Sequence, residues 1–575
     1  VLDVVLRGGT VVDGTGAPGR IADVGIRGDR IVAVGTITEP AREEVDCTGL
    51  LVTPGFVDMH THYDGQVTWD PWLTPSGWHG CTTVVFGNCG VGFAPCRPDD
   101  RAWLIQTMEG VEDIPGTALS EGIQWEWETF PEYLDALAKK PLALDVAAQV
   151  PHAALRGYVM GPRRAEHEDA TPDEIAAMRA LTAEALRAGA VGFSSSRTSL
   201  HKTKAGQLVA GTKATRAELD GICQALADVG QGVVELANEH VRNREDVRWF
   251  GELAASLQRP VVFNLSQIDD DPRLWSELLG ALDEAARAGV PLFAQSAGRA
   301  IGILMGLQAT AHPFALRPSW LMATFGERAN DPWETRLQQL RDPAFRERLL
   351  SEEGVVVGAF ETFVTTRWDR MFPVDGAGDY EPRPEDSVAA RAAREGRSPS
   401  EVALDWLLRD DGEGMLYFPL FNYADGSLDP TFAMHSHDRV LMGLSDGGAH
   451  CGAICDAGMP TFMLTHWTRD RTRGPRLPLE RIVARQTRDT AEFYGMHDRG
   501  VLAPGYLADV NVIDYAGLQS LPPERVTDLP AGGRRLIQRA RGYVGTWKRG
   551  VRIVDHDAPT GALPGQLVRG GSGQL

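Results

Sequence analysis

"LLVTPGFVDMHTHYDG", residues 50–65, decides how the chain is read. An apolar run passes through Pro54 and Gly55 and ends in Phe56-Val57-Asp58. Two imidazoles follow one residue apart, His60 and His62. Residues spaced this way on an extended segment share a face, so both rings point the same way and can grip one cation. The run before them has the continuous apolar character of a strand buried on both faces of a parallel sheet.

Seven more runs of this type follow: TTVVFGN (82–88), ALDVAAQV (143–150), AVGFSSS (190–196), GVVELANE (232–239), PVVFNLSQ (260–267), VPLFAQS (290–296) and RVLMGLSD (439–446). Helical patterns alternate with them. The segment after Thr171 has Pro172 at the first helical position, Glu174 to complete a capping box and Gly189 as a stop; Thr215, Glu218 and Gly230 repeat the signals. Eight strands alternating with helices predict an α/β fold, a (β/α)8 TIM-like barrel. The two chain ends read differently. DVVLRGGTVVDGTG (3–16) and DVGIRGDRIVAVG (23–35) are short strands with Gly turns, and GYLADVNVIDY (505–515) and ARGYVGTWKRGVRIVD (540–555) echo them. Residues 1–54 and 498–575 are therefore expected to pair into a small β-sandwich domain. Residues 55–497 form the barrel, with an insertion or lid at about 311–430, too long for an ordinary connection.

Composition bounds the function. At 575 residues the chain exceeds one ordinary core. No run of 18 apolar residues appears, the first ten residues carry no basic leader pattern, and no membrane association is expected. The net charge is −21 with Lys and Arg scattered, so the basic stripe of a nucleic-acid binder is missing. Seven dispersed cysteines do not form a disulfide framework and fit a reducing cytoplasm. Oligomeric state is left open, a homo-oligomer included.

In such a barrel the residues beyond the C-terminal strand ends line the mouth. Strand 1 ends in His60 and His62, strand 2 in Cys89, strand 5 in His240, and strand 8 in Asp446 and His450. Taken singly, a His at a strand end reads more readily as a hydrogen-bonded structural residue, and an Asp before Gly-Gly as a turn former. Their convergence on one face reads as a metal site. A second His-x-His, His435 and His437, precedes strand 8 and is expected at the opposite face as a structural pair.

These residues carry a resemblance. LVTPGFVDMHTHYD resembles the opening strand of the amidohydrolase superfamily, and CTTVVFGNCG (81–90) is similar to its N-acyl-D-amino-acid deacylase (D-aminoacylase) branch. The stretches 161–196 and 485–514 resemble the same branch, so the likeness covers nearly the whole chain. It implies a metal-dependent hydrolase of N-acyl-D-amino acids acting on a small-molecule amide. One or two Zn2+ ions, or another divalent metal, would be held by His60, His62, Cys89, His240 and Asp446, with Asp446 also the proton shuttle. Two features depart from the branch. Its second zinc-binding His and its Lys after strand 6 are replaced by VVFNLSQIDDD (261–271), where Asn264, Ser266 or Gln267 would have to substitute as ligand, or Asn264 would hydrogen-bond the metal's water. The Arg that reads a substrate carboxylate is absent from SDGGAHCGAICDAGMPTF (445–462). Arg197 and Arg242 are the candidate replacements, with His450 and Trp78 as further substrate-side residues. The alternatives are an amidase for amides lacking a carboxylate, a hydrolase of cyclic amides, carbamates or esters, or a metal-binding barrel without catalysis.

Overall fold

The structure is a computed structural model and describes residues 1–239, 243–324, 328 and 331–571. Eight parallel strands form the barrel: Phe56–Asp58, Cys81–Phe86, Asp145–Pro151, Gly192–Ser196, Val233–Ala237, Val261–Asn264, Leu292–Ser296 and Val440–Met442. They pair in chain order from first to eighth. Each coincides with one of the eight apolar runs. Strands 1 and 8 meet just past their ends through a parallel bridge between Thr61 and Gly447, and His62 N–H donates to Gly447 O at 2.8 Å.

The run at 50–58 is not one strand. Leu51–Pro54 belongs to the terminal sheet and Phe56–Asp58 to the barrel. Gly55 is the joint, and a Cβ there would stand 2.3 Å from the Thr82 side chain, so only glycine lets the chain pass from one sheet into the other.

The chain ends build one nine-stranded sheet in which N-terminal strands join C-terminal ones through the pairing of Leu51–Pro54 with Val510–Ile513. Val24, Ile26, Val52, Val510, Val512 and Trp547 form its apolar core. The C-terminal part also leaves this sheet. The two-stranded ribbon Gln519–Leu529 and Gly533–Arg541 reaches the mouth side of the barrel, where Leu536 N–H donates to Cys451 O at 2.6 Å. The inserted region carries a three-stranded sheet of its own, Gly302–Met305, Phe372–Pro373 and Leu416–Pro419, over a separate apolar cluster. This sheet begins nine residues before the point expected from sequence, because GILM (302–305) follows strand 7 so closely that it reads as part of the same connection. Among the described residues no helix is long and apolar enough to cross a membrane.

Asp145, at the N-terminal end of strand 3, ties barrel to sheet. It is fully buried and receives Lys548 at 2.8 Å, Arg499 at 2.7 Å, Arg549 at 3.0 Å and the backbone N–H of Gln566 at 2.7 Å. Burial opposes the carboxylate, but the three cations outweigh it and hold its pKa below the ordinary value. Asp145→Ala, which leaves three buried or half-buried cations short of a partner, is expected to cost about 3–5 kcal/mol of unfolding free energy in urea melts. A folded pKa below the unfolded one gives stability that is present above about pH 3.9 and is lost as pH falls below it. The variant should therefore lose part of the acid sensitivity of the parent. Unchanged stability would contradict the clamp.

Candidate metal centre

The mouth assembles around the short segment after strand 1. His60 and His62 are both buried, with ring centroids 5.3 Å apart. Cys89 Sγ lies 3.4 Å from His60 Nε2, and ligand atoms of His60, His62 and Cys89 all fall within 4.8 Å of one another. Asp446 Oδ1 stands 3.4 Å from His60 Nε2 and 3.7 Å from His62 Nε2. Its backbone N–H donates to His60 O at 3.1 Å. The bridge that brings strands 1 and 8 together thus also brings the aspartate to the imidazoles.

Local geometry aims these groups. Cys89, Asp446 and His450 all have left-handed backbone, with φ of 55°, 50° and 52°. Non-glycine residues seldom adopt it, and where they do the strain is commonly tied to function. Cys89 sits in the turn Gly87-Asn88-Cys89-Gly90. A Cβ on Gly87 would meet Gln149 O at 2.4 Å and one on Gly90 would meet Ser196 N at 2.8 Å, so both glycines let the turn press against its neighbours.

Hydrogen bonds fix the imidazole of His60. Its Nδ1–H donates to Gln295 Oε1 at 3.1 Å, because the Gln295 amide nitrogen already donates to Glu235 Oε1 at 3.1 Å and to Asn264 Oδ1 at 2.8 Å. The Nε2 lone pair is then left facing Cys89 and Asp446. Glu235 accepts the Cys89 backbone N–H at 2.8 Å through its other oxygen, so one carboxylate ties the cysteine turn to the histidine support.

Charge is the distinctive property. Burial pushes Glu235 up to about 8, Asp64 to about 7 and Asp58 to about 6. Burial, with neighbouring carboxylates, drives Asp446, Glu112 and the Cys89 thiol well above their usual ranges. Burial lowers His60 to about 3 and His450 to about 4. Neutral imidazoles and a crowd of acids starved of positive charge form a donor set suited to a divalent cation. His62 Nδ1 and Glu112 Oε1 are buried without a hydrogen-bond partner, which also suits a site that tightens when loaded. The residues fit a metal with nitrogen and sulfur preference.

The remaining candidates fall in different places. Asn264 joins the network through Gln295. His450 Nε2 is 3.9 Å from Asp446 Oδ2, and the side chain is 25% exposed. Arg197 lies over the Trp249 ring at 4.9 Å and donates to Ala214 O at 3.1 Å. Trp78, in a short turn of helix at 76–79, packs beneath Arg539 of the ribbon, 4.4 Å from its ring. His240 and Arg242 lie outside the described residues. His435 Nε2–H donates to Ala297 O at 3.0 Å, since a carbonyl oxygen only accepts, and His437 meets Asp283 at 3.1 Å, both apart from the cluster. Sequence reading did not single out Glu112, Glu235 or Gln295. For Glu235 a signal existed, a charged residue in the middle of the apolar run GVVELAN. Glu112 has none, since an acidic residue at a helix end reads as solvated surface.

Comparison with known proteins agrees with this architecture. The family model described as the amidohydrolase family matches residues 43–554. D-aminoacylase of Alcaligenes xylosoxydans xylosoxydans is 29% identical, over 98% of this chain and 97% of its own length. A solved structure of D-aminoacylase, studied for the role of its binuclear metal centre, superposes with a TM-score of 0.65 at 28% identity, covering 99% of this chain and all of that one. N-acyl-D-glutamate deacylase from Bordetella bronchiseptica, solved with zinc and a phosphonate mimic of the tetrahedral intermediate, superposes with a TM-score of 0.66 at 25% identity over 99% of each chain. With its eight-stranded barrel, its paired histidines and a family match over most of its length, the chain belongs to the amidohydrolase family.

Proposed function

We propose that the protein hydrolyses the amide bond of an N-acyl compound, with an N-acyl-D-amino acid as substrate and zinc as the metal. The observation that carries this reading is the convergence of His60, His62 and Cys89 with Asp446 in a buried, cation-poor mouth. The similarity to D-aminoacylase and to the zinc-bound deacylase supports the substrate class and the metal.

His60, His62 and Cys89 would hold the ion, with Asp446 at its edge. Zinc, when bound, supplies Lewis acidity for a water molecule and for the amide carbonyl. The chain's own work is proton handling and orientation. Asp446 is 12% exposed on its side chain, so it touches the buried imidazoles and still faces the mouth. It takes the proton of the attacking water and returns it to the amide nitrogen as the C–N bond breaks. An unprotonated amine is a poor leaving group, so the second transfer commits the intermediate to products. Glu235 and Gln295 keep the His60 lone pair and the Cys89 turn in place throughout.

A second reading, an amidase for neutral amides, is favoured by the placement of Arg197, whose guanidinium is held by Trp249 and Ala214 O. Amine release from N-acetyl-D-methionine, its L enantiomer and a neutral N-acyl aryl amine separates the two. The first reading expects the D-acid to be the best substrate; preference for the neutral amide would replace it with the second.

Asp446→Asn is expected to lower kcat by about 10²- to 10⁴-fold while thermal unfolding stays close to the parent. Full turnover by this variant would refute the proton role. Chelator-treated protein should be inactive and melt lower than zinc-loaded protein. At free zinc about 1,000 times the dissociation constant the difference amounts to about 4 kcal/mol. Activity in demonstrably metal-free protein would contradict the metal reading.

A further inference from the structure

Glu112 is the last residue of the helix Arg101–Glu112 and is 2% exposed. A carboxylate there is unfavourable twice over. It sits at the negative pole of the helix, and it is buried without a Lys or Arg partner among the described residues. The fold nevertheless pins it in place. Asp113, next along in left-handed conformation, accepts from Thr310 Oγ1 at 2.8 Å and from Gly452 N–H at 3.1 Å, and Glu112 O accepts the backbone N–H of His450. The helix end is therefore docked on the loop that follows strand 8.

The side chain so placed reaches two imidazoles. Glu112 Oε1 is 3.4 Å from His62 Nδ1, and Oε2 is 3.5 Å from His450 Nε2. His62 Nδ1 and Glu112 Oε1 are two buried atoms without a hydrogen-bond partner that face each other. Leaving both unpaired is expensive, and a small rotation of either pairs them. A ring of four groups results: His62 to Glu112, Glu112 to His450, His450 to Asp446 at 3.9 Å, and Asp446 back to His62 at 3.7 Å.

We propose that Glu112 is a positioning residue that holds His62 in the orientation for metal binding and holds His450 beside Asp446. The inference rests on the reading of His60, His62 and Cys89 as metal ligands. A histidine that donates Nδ1–H to a carboxylate presents its Nε2 lone pair in a fixed direction and is a stronger ligand for it. The two histidines are then supported differently, His60 by the neutral Gln295 amide and His62 by a carboxylate.

The test compares Glu112→Gln with the parent. Zinc affinity is measured by competition with a chelator, the visible absorption of the cobalt(II) form is recorded, and kcat and KM are determined. Zinc binding is expected to weaken about 10- to 100-fold, the cobalt bands to shift, and kcat to fall with KM little changed. A variant equal to the parent in zinc affinity and cobalt spectrum overturns the inference even if its activity or melting temperature drops, since a merely structural role would lower stability alone. A parent that binds neither ion overturns the metal reading and this inference with it; a parent that binds while the variant matches it overturns this inference only. If Glu112→Gln does not fold, Glu112→Asp keeps the charge one methylene short. Intermediate weakening with a shifted cobalt spectrum supports the role, and parental values overturn it.

Discussion

Four buried carboxyl groups, those of Asp58, Asp64, Glu112 and Glu235, and the partly exposed carboxyl of Asp446 gather with the buried Cys89 thiol at the C-terminal end of the barrel. Among the described residues none of them is ion-paired with Lys or Arg. Taking even one carboxylate out of water is costly, and a cluster of them raises the cost with every neighbour. Either the groups stay protonated or a cation enters. The neutral imidazoles of His60 and His62 and the soft sulfur of Cys89 suit the second outcome, in line with the proposed metal, and Gln295 and Glu235 hold the His60 ring and the Cys89 turn in place.

The two ends of the barrel answer the same electrostatic problem in opposite ways. At the N-terminal end Asp145 is neutralised by the protein's own Lys548, Arg499 and Arg549, which come from the terminal segments and bind the sheet to the barrel. That end carries stability, as is usual for this face of a barrel. At the C-terminal end the acids have no such partners, and three of the residues that face the centre hold left-handed backbone. Carboxyl groups without a Lys or Arg partner, beside three left-handed residues, are what a site arranged for chemistry rather than for stability would show.

Much of this was legible in the sequence, and for identifiable reasons. The eight barrel strands are mostly buried on both faces, and capped helices such as Pro172–Ala188 and Arg216–Val229 separate some of them, so the runs stood out. His60, His62, Cys89 and Asp446 follow strands directly, and a strand end fixes where the next side chains go. What was hidden depends on contacts between distant segments. Glu112 comes from a helix well outside the strand ends and enters the mouth only because Asp113 and His450 dock that helix end. Gln295 lies inside a strand and reads as an ordinary polar interruption. The division of the run at Gly55 between two sheets, and the start of the inserted sheet at Gly302, are matters of pairing partner, which local composition does not encode. The ribbon at 519–541 alternates like the rest of the terminal sheet, so nothing in its pattern announced that it crosses to the mouth.

The central claim is that His60, His62 and Cys89 jointly ligate one metal ion. X-ray absorption fine structure of the zinc-loaded protein tests it most directly. The account predicts one sulfur scatterer at about 2.3 Å beside nitrogen and oxygen neighbours at about 2.0–2.1 Å, with the sulfur lost in Cys89→Ser. A first shell of nitrogen and oxygen alone in the parent protein would contradict it.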